Sequence, residues 1–377
     1  MTLDPDASRA SYATALADDA ASGTKTLLLA PLGAGKSHTL LAVRERLRAN
    51  SIPFASIDLF TAASTPERLL AILADSVVPF FQPESPSIQA LVAEGIADRH
   101  QSSSALLRLL DLLATRRPAT PFVWVIDEVT EIRSLAYFPE LGRIEIPFAR
   151  ALDAARGAVL TSSYLGLAAD LFPDLGRQTL PGLTSDDLTS LPSLRSDSSA
   201  VSAALLLTRG AAATLLPLVA DMRDTRDLER SLIRLLRPGG ALEIICRRHY
   251  EVLLLRSRGY AVAKRAAEVV AASREQRLTD LFPAIGRTAG ASRQYLRWLV
   301  EVGLLTQVNK RYDFADPIVG LWASLYLGRP DHPSDQEVET AVALCLGRPA
   351  APPETPEAKA PAVEVPPRRV DRFEEID

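Results

Sequence analysis

Two short segments of the 377-residue chain carry residue types suited to phosphate chemistry. The first reads Ala30-Pro31-Leu32-Gly33-Ala34-Gly35-Lys36-Ser37-His38. Gly33 and Gly35 let main-chain N–H groups turn inward around an anion, and a helix opening at Lys36 adds the positive end of its dipole. Lys36 would reach the outer phosphates of a nucleotide, and the Ser37 hydroxyl would ligate Mg²⁺. The second segment, Phe122-Val123-Trp124-Val125-Ile126-Asp127-Glu128, is an apolar run ending in two acids. Asp127 would hold the Mg²⁺ through water, and Glu128 would polarise an attacking water as general base.

These side chains need a scaffold that brings residues 30–38 and 127–128 together. The first 180 or so residues supply one by alternating short apolar runs with helical patterns. TLLLA (26–30), FASIDLF (54–60), FVWVID (122–127) and GAVLTSS (157–163) read as buried strands. Helices are expected from Lys36 to Ala49, from Pro66 to near Val77, and over 102–117. This pattern predicts an α/β fold, a P-loop parallel sheet with helices on both faces. The loop at 30–37 follows a strand and opens a helix, the context its motif requires. Ala30 stands where the motif usually has its first glycine, at a strand end that tolerates alanine.

Residues 183–240 read as wholly helical and end at Arg237-Pro238-Gly239-Gly240, a candidate boundary. Residues 241–330 hold 14 Lys/Arg against 8 Asp/Glu, a net +6 on a chain whose formal net charge is −4. Their helices, turn, longer helix and hairpin around Asn309-Lys310 predict a winged helix-turn-helix. Ser292 to Leu305 would be the recognition helix. Arg293, Gln294 and Arg297 point away from its apolar side, and Lys310 and Arg311 sit at the wing tip. DNA contact through these five residues, or protein docking, is the expected use of the unit. Trp298 and Trp322 fall in apolar patterns and are expected in the core. The resulting division is 1–182 for the α/β domain, 183–240 for a helical lid, 241–330 for the winged unit and 331–348 for a short helix. Residues 349–377, with 7 prolines in 29 residues, form a disordered tail.

Composition excludes several classes. Two cysteines, Cys246 and Cys345, rule out a disulfide framework, and four histidines without ligand spacing make no His-based metal site. No apolar run approaches membrane-spanning length. The start, MTLDPDASRA, lacks secretory character, so a cytoplasmic location is expected.

The order of LLLAPLGAGKS, SIDLF…PERLLAILADSV, FVWVIDEVTEI, AVLTSSYL, FPDLGRQTLPGLTSDD, LTRGAAATLLPLVA and RYDFADPIVGLWASL resembles the archaeal-type ATPase family of the AAA+/STAND P-loop group. It is similar, more distantly, to the origin-recognition ATPases. The resemblance covers about residues 24–327 and implies ATP as the nucleotide. It matches Thr161 and Ser162 to the polar sensor position between the acids and the γ-phosphate; helix capping is their other reading. It matches Arg177 to an arginine that reaches a neighbouring subunit's γ-phosphate, against a surface or in-domain role. It implies a nucleotide-dependent homo-oligomer. Where origin-recognition proteins carry a lid arginine, this chain has Ala211, Ala212 and Ala213, and Arg209 is out of register. Tyr12 either meets the base or packs.

Two functions follow as expectations. One is an ATP-driven switch coupled to DNA or a DNA-processing partner. The other is a nucleotide-stabilised protein-interaction scaffold with little turnover.

Overall fold

The computed structural model describes residues 9–189, 198–273 and 276–347. Among them a parallel sheet is built from β1 (Lys25–Leu29), β2 (Phe54–Asp58), β3 (Val123–Asp127), β4 (Gly157–Ser162) and β5 (Gly176–Thr179). Its order is β2-β3-β4-β1-β5. Successive strand side chains point to opposite faces. Trp124 and Ile126 of β3 enter a core with helices Pro66–Val77 and Ser102–Thr115. Val123 and Val125 enter a second core with helices Ala10–Ser22 and Lys36–Ala49. Both faces are therefore covered, as near-continuous apolar strands require.

Two details of this sheet depart from the sequence reading. No apolar run announces β5: three of its four residues are exposed, and it is recruited by pairing with β1, Leu27 opposite Arg177. The second strand stops at Asp58 rather than Phe60. The Asp58 carboxylate accepts from Phe60 N and caps the short helix Leu59–Ala62.

Helices Ser185–Thr189, Ser198–Thr208, Ala212–Thr225 and Leu228–Leu236 lead to helices Ala241–Arg256 and Tyr260–Ser273. Then come β6 (Gln276–Arg277), helices Leu278–Ile285 and Ala289–Glu301, β7 (Leu305–Val308) and β8 (Arg311–Phe314). The last three strands form an antiparallel sheet in the order β6-β8-β7. Asn309 and Lys310 have φ of 50° and 65°, the two-residue turn that matches strand twist. Helix Ala289–Glu301 starts before Ser292 because the Thr288 side chain caps it through Ala291 N. It ends before Leu305 because Gly303, at φ 79°, turns the chain into β7. Trp322 is buried as expected, but Trp298 is only half-buried, set edge-on to Tyr295 with Arg258 over its ring.

Helices Pro317–Tyr326 and Asp335–Cys345 follow. Buried side chains from Leu183 to Val342 form one continuous core, so the break at 237–240 interrupts the helices without interrupting the packing. The proline-rich stretch 349–377 lies outside the described residues. No helix among the described residues is long and apolar enough to cross a membrane.

Candidate functional site

Because β4 lies between β1 and β3, the carboxyl ends of these three strands converge. At about 4.8 Å per strand, β1 and β3 end about 10 Å apart, within reach of side chains meeting over β4. The loop after β1 turns through Gly33 at φ 81° and Gly35 at φ 97°, conformations that favour glycine. A Cβ on Gly33 would lie 2.4 Å from His249 Cε1, so helix Ala241–Arg256 packs directly on the loop. The Gly33 carbonyl also accepts from Ala213 N at 2.9 Å. Ala30 is buried, has no positive φ, and donates its N–H to Ser162 O at 3.2 Å, so an alanine fits there. Pro31, Ser37 and His38 are exposed, Ala34 is buried, and Leu32 is half-buried.

Lys36 is 4% exposed. Its ammonium donates to Ala30 O at 3.0 Å, Pro31 O at 3.1 Å and Ser163 Oγ at 2.8 Å, and lies 3.3 Å from Glu128 Oε1. Burial lowers its pKa, with Glu128 opposing. Ser37 Oγ donates to Asp127 Oδ2 at 2.6 Å. Thr161 Oγ1 donates to Asp127 Oδ1 and accepts from Glu128 N at 3.0 Å. Glu128 sits at φ 51°, an uncommon conformation for a side-chain-bearing residue, held by that bond and by Ser163. Ser163 N donates to Glu128 Oε2 at 2.9 Å, and Ser163 Oγ donates to Oε1. Burial pushes the Glu128 carboxyl up, but Lys36, Ser163 and Arg256 together bring it below the ordinary carboxylate value. Ser162 Oγ accepts from Tyr164 N at 3.0 Å and pairs with Thr130 Oγ1 at 2.9 Å.

The strand ends thus bring together Lys36, Ser37, Asp127, Glu128 and Thr161, with Ser162 just behind. Ser163 is a member that the sequence reading missed, one residue past the Thr161–Ser162 pair it singled out. Two arginines were missed as well. Arg9 is buried, donates to Pro181 O at 2.8 Å, and places its guanidinium carbon 3.9 Å from where a Gly35 Cβ would stand. Arg256, the last residue of its helix, lies 2.6 Å from Glu131 Oε1 and 4.0 Å from Glu128 Oε2. Beside the loop is a cavity of about 240 Å³, whose lining includes Ala34, Leu180, Gly210, His249, Leu253 and Asp316. Tyr12 OH donates to Gln178 Oε1 at 3.0 Å. Arg209 donates to Ala315 O at 3.0 Å.

Other sequence-derived candidates lie elsewhere. Arg177 is exposed on the edge strand β5 and donates to Ala169 O at 2.9 Å, not to the cluster. Arg293, Gln294, Arg297, Lys310 and Arg311 are all exposed; Arg297 Nε is 2.9 Å from Glu301 Oε1.

No protein-family model matches the chain, and no curated protein matches it. Among solved structures, a Walker-type ATPase of Pyrococcus abyssi aligns with a TM-score of 0.56 at 18% identity, over 83% of this chain and 94% of that one. The chain shares the fold of that Walker-type ATPase. The RuvB Holliday junction branch migration motor of Thermotoga maritima aligns at a TM-score of 0.35 and 14% identity, over 81% of this chain and 90% of its own. Cdc6p of Pyrobaculum aerophilum aligns at 0.34 and 15%, over 84% and 91%. The Walker-type fold accounts for the site's placement. Its parallel sheet sets a glycine-bearing loop and an acid pair at the ends of the two strands that flank β4.

Proposed function

We propose that this chain binds ATP with Mg²⁺ at residues 30–38 and hydrolyses it to ADP and phosphate. The observation that carries the reading is the contact of Ser37 with Asp127 beside the Lys36–Ser163–Glu128 relay. The donor set suits the cation: one hydroxyl, one carboxylate and remaining positions for phosphate and water match Mg²⁺ preferences. The loop suits the triphosphate, with two left-handed glycines and a helix N-terminus behind a lysine. Ser37 and Asp127 would hold the cation, which supplies charge neutralisation at the phosphates. Lys36 would bind the β- and γ-phosphates in place of the loop carbonyls. Glu128 would accept a proton from the attacking water as ADP leaves. Thr161 holds Asp127 and the Glu128 main chain in register, and Ser162 holds the next turn. Arg177, exposed at the sheet edge, suits contact with a neighbouring copy in a nucleotide-dependent oligomer.

The output of the switch is assigned to residues 241–330 as a winged helix-turn-helix, with 183–240 as the lid above the α/β domain 1–182. Exposed Arg293, Gln294 and Arg297 on one helix, with Lys310 and Arg311 at the hairpin, favour a DNA phosphate backbone or a DNA-processing partner. A second reading, a nucleotide-stabilised scaffold with little turnover, is favoured by the Lys36–Glu128 pairing and by alanines at 211–213.

The test is ATP binding and turnover by the purified chain, with and without duplex DNA. Lys36→Ala should lose nucleotide binding. Glu128→Gln should retain binding while turnover falls by about 100-fold or more, the usual worth of a general base. Binding without turnover in the parent would favour the scaffold, and undiminished binding by Lys36→Ala would remove the phosphate role of the loop.

A further inference from the structure

Arg256 belongs to the C-terminal half of the molecule but ends in the candidate ATP site. The helix that carries it is anchored by Cys246, Tyr250, Leu253 and Leu254, all buried in the core shared by residues 183–342. Its guanidinium leaves that core and lies between two aromatic rings, 5.3 Å from the Phe60 centroid and 5.1 Å from the Tyr164 centroid. Both rings come from the α/β half, as do Glu131 and Glu128, which it meets at 2.6 Å and 4.0 Å. Only 8% of the side chain is exposed. Lys36 and Arg256 therefore flank the Glu128 carboxylate, Lys36 at Oε1 and Arg256 at Oε2. Its Nε and Nη1 are buried without an acceptor among the described residues. Removing one partner from a buried charge cluster is costly, because it leaves the others charged and desolvated. Here those others are Glu131 and the candidate base.

We infer that Arg256 is a positioning residue for Glu128: it holds Glu131 and the base in place from the C-terminal half, so ATP hydrolysis depends on that half being docked. The inference rests on the hydrolysis reading above. It assigns the coupling between nucleotide chemistry and the position of residues 183–347 to one side chain and its aromatic cage.

The experiment measures kcat and KM for ATP in the full chain, with nucleotide affinity from a fluorescent ADP analogue. Arg256→Ala should lower kcat by about 10- to 100-fold, the cost of a misplaced catalytic group, with KM and analogue affinity nearly unchanged. Arg256→Lys, which keeps a charge beside Glu131, should recover part of the loss. Phe60 is 53% exposed, so Phe60→Ala spares the core should Arg256→Ala fail to fold. It should lower kcat by about 2- to 5-fold, the worth of one exposed cation–π contact, at an unchanged melting temperature. Parent-like kcat in Phe60→Ala and in folded Arg256→Ala overturns the Arg256 assignment alone. A parent chain that binds the analogue but turns over no ATP overturns the hydrolysis reading and this inference with it.

Discussion

At the scale of single residues, the groups proposed to handle phosphate were legible because they share one short stretch of chain, although Lys36 and Ser37 meet Ser163, Glu128 and Asp127 only through the fold. Gly33, Gly35, Lys36 and Ser37 act within one turn of chain, so spacing alone describes the loop. Ser163, Arg9 and Arg256 were not legible, since each acquires its role from a residue far away in sequence. Arg256 in particular reads locally as a basic residue in a helix's last turn, an ordinary dipole partner. Two half-buried groups beside the loop yield a pH prediction. Burial raises the Asp316 carboxyl to about 6 and lowers the His249 imidazole, through burial, Arg248 and Lys36, to about 4. For Asp316 the folded form holds its proton longer than the unfolded chain does. Its contribution to stability therefore falls as pH rises from about 4 to about 6. For His249 the unfolded chain takes up the proton first, so stability rises with pH over 4–6.5. The two slopes oppose each other. Asp316→Asn keeps a side-chain acceptor for Ile318 N and Val319 N but leaves the His249 slope unopposed. Thermal melts of that variant should therefore show melting temperature rising more steeply between pH 4 and 6 than in the parent.

At the scale of elements, the parallel strands were legible where both faces are buried and not where one edge is wet. β3 shows its apolar run because Val123 to Ile126 feed two cores; β5 shows none because water covers most of it. The hairpin was legible from Asn309-Lys310, which adopt the two positive φ values that a tight turn demands. The limits of helix Ala289–Glu301 were less so, since they depend on the Thr288 cap and on Gly303. If this helix meets DNA, Arg293→Ala with Arg297→Ala should weaken duplex binding. The slope of log K against log salt should flatten by about 1 to 2, as about 0.9 counterion is released per phosphate contact. Arg297 shares its charge with Glu301, so Arg293 should contribute more of the change. Fluorescence anisotropy across a salt series reads both quantities, and an unchanged slope would assign the surface to a protein partner.

At the scale of the whole molecule, the sequence divides the chain at residue 240, whereas the packing runs through that point. A boundary inferred from Pro238 and two glycines records a local loss of helix propensity, and propensity carries no information about shared burial. Nucleotide binding should register across the molecule as a gain in global stability. At ATP concentrations 100 times the dissociation constant, the folded state should gain about 2.7 kcal/mol, read as a raised melting temperature. Lys36→Ala should show no such rise.

The hydrogen bond from Ala213 to Gly33, with His249 pressed on the same glycine, ties the loop at 30–38 to the core that gathers buried side chains from Leu183 to Val342. A shift of that loop would press first on Ala213 and His249, one from each of two helices of that core.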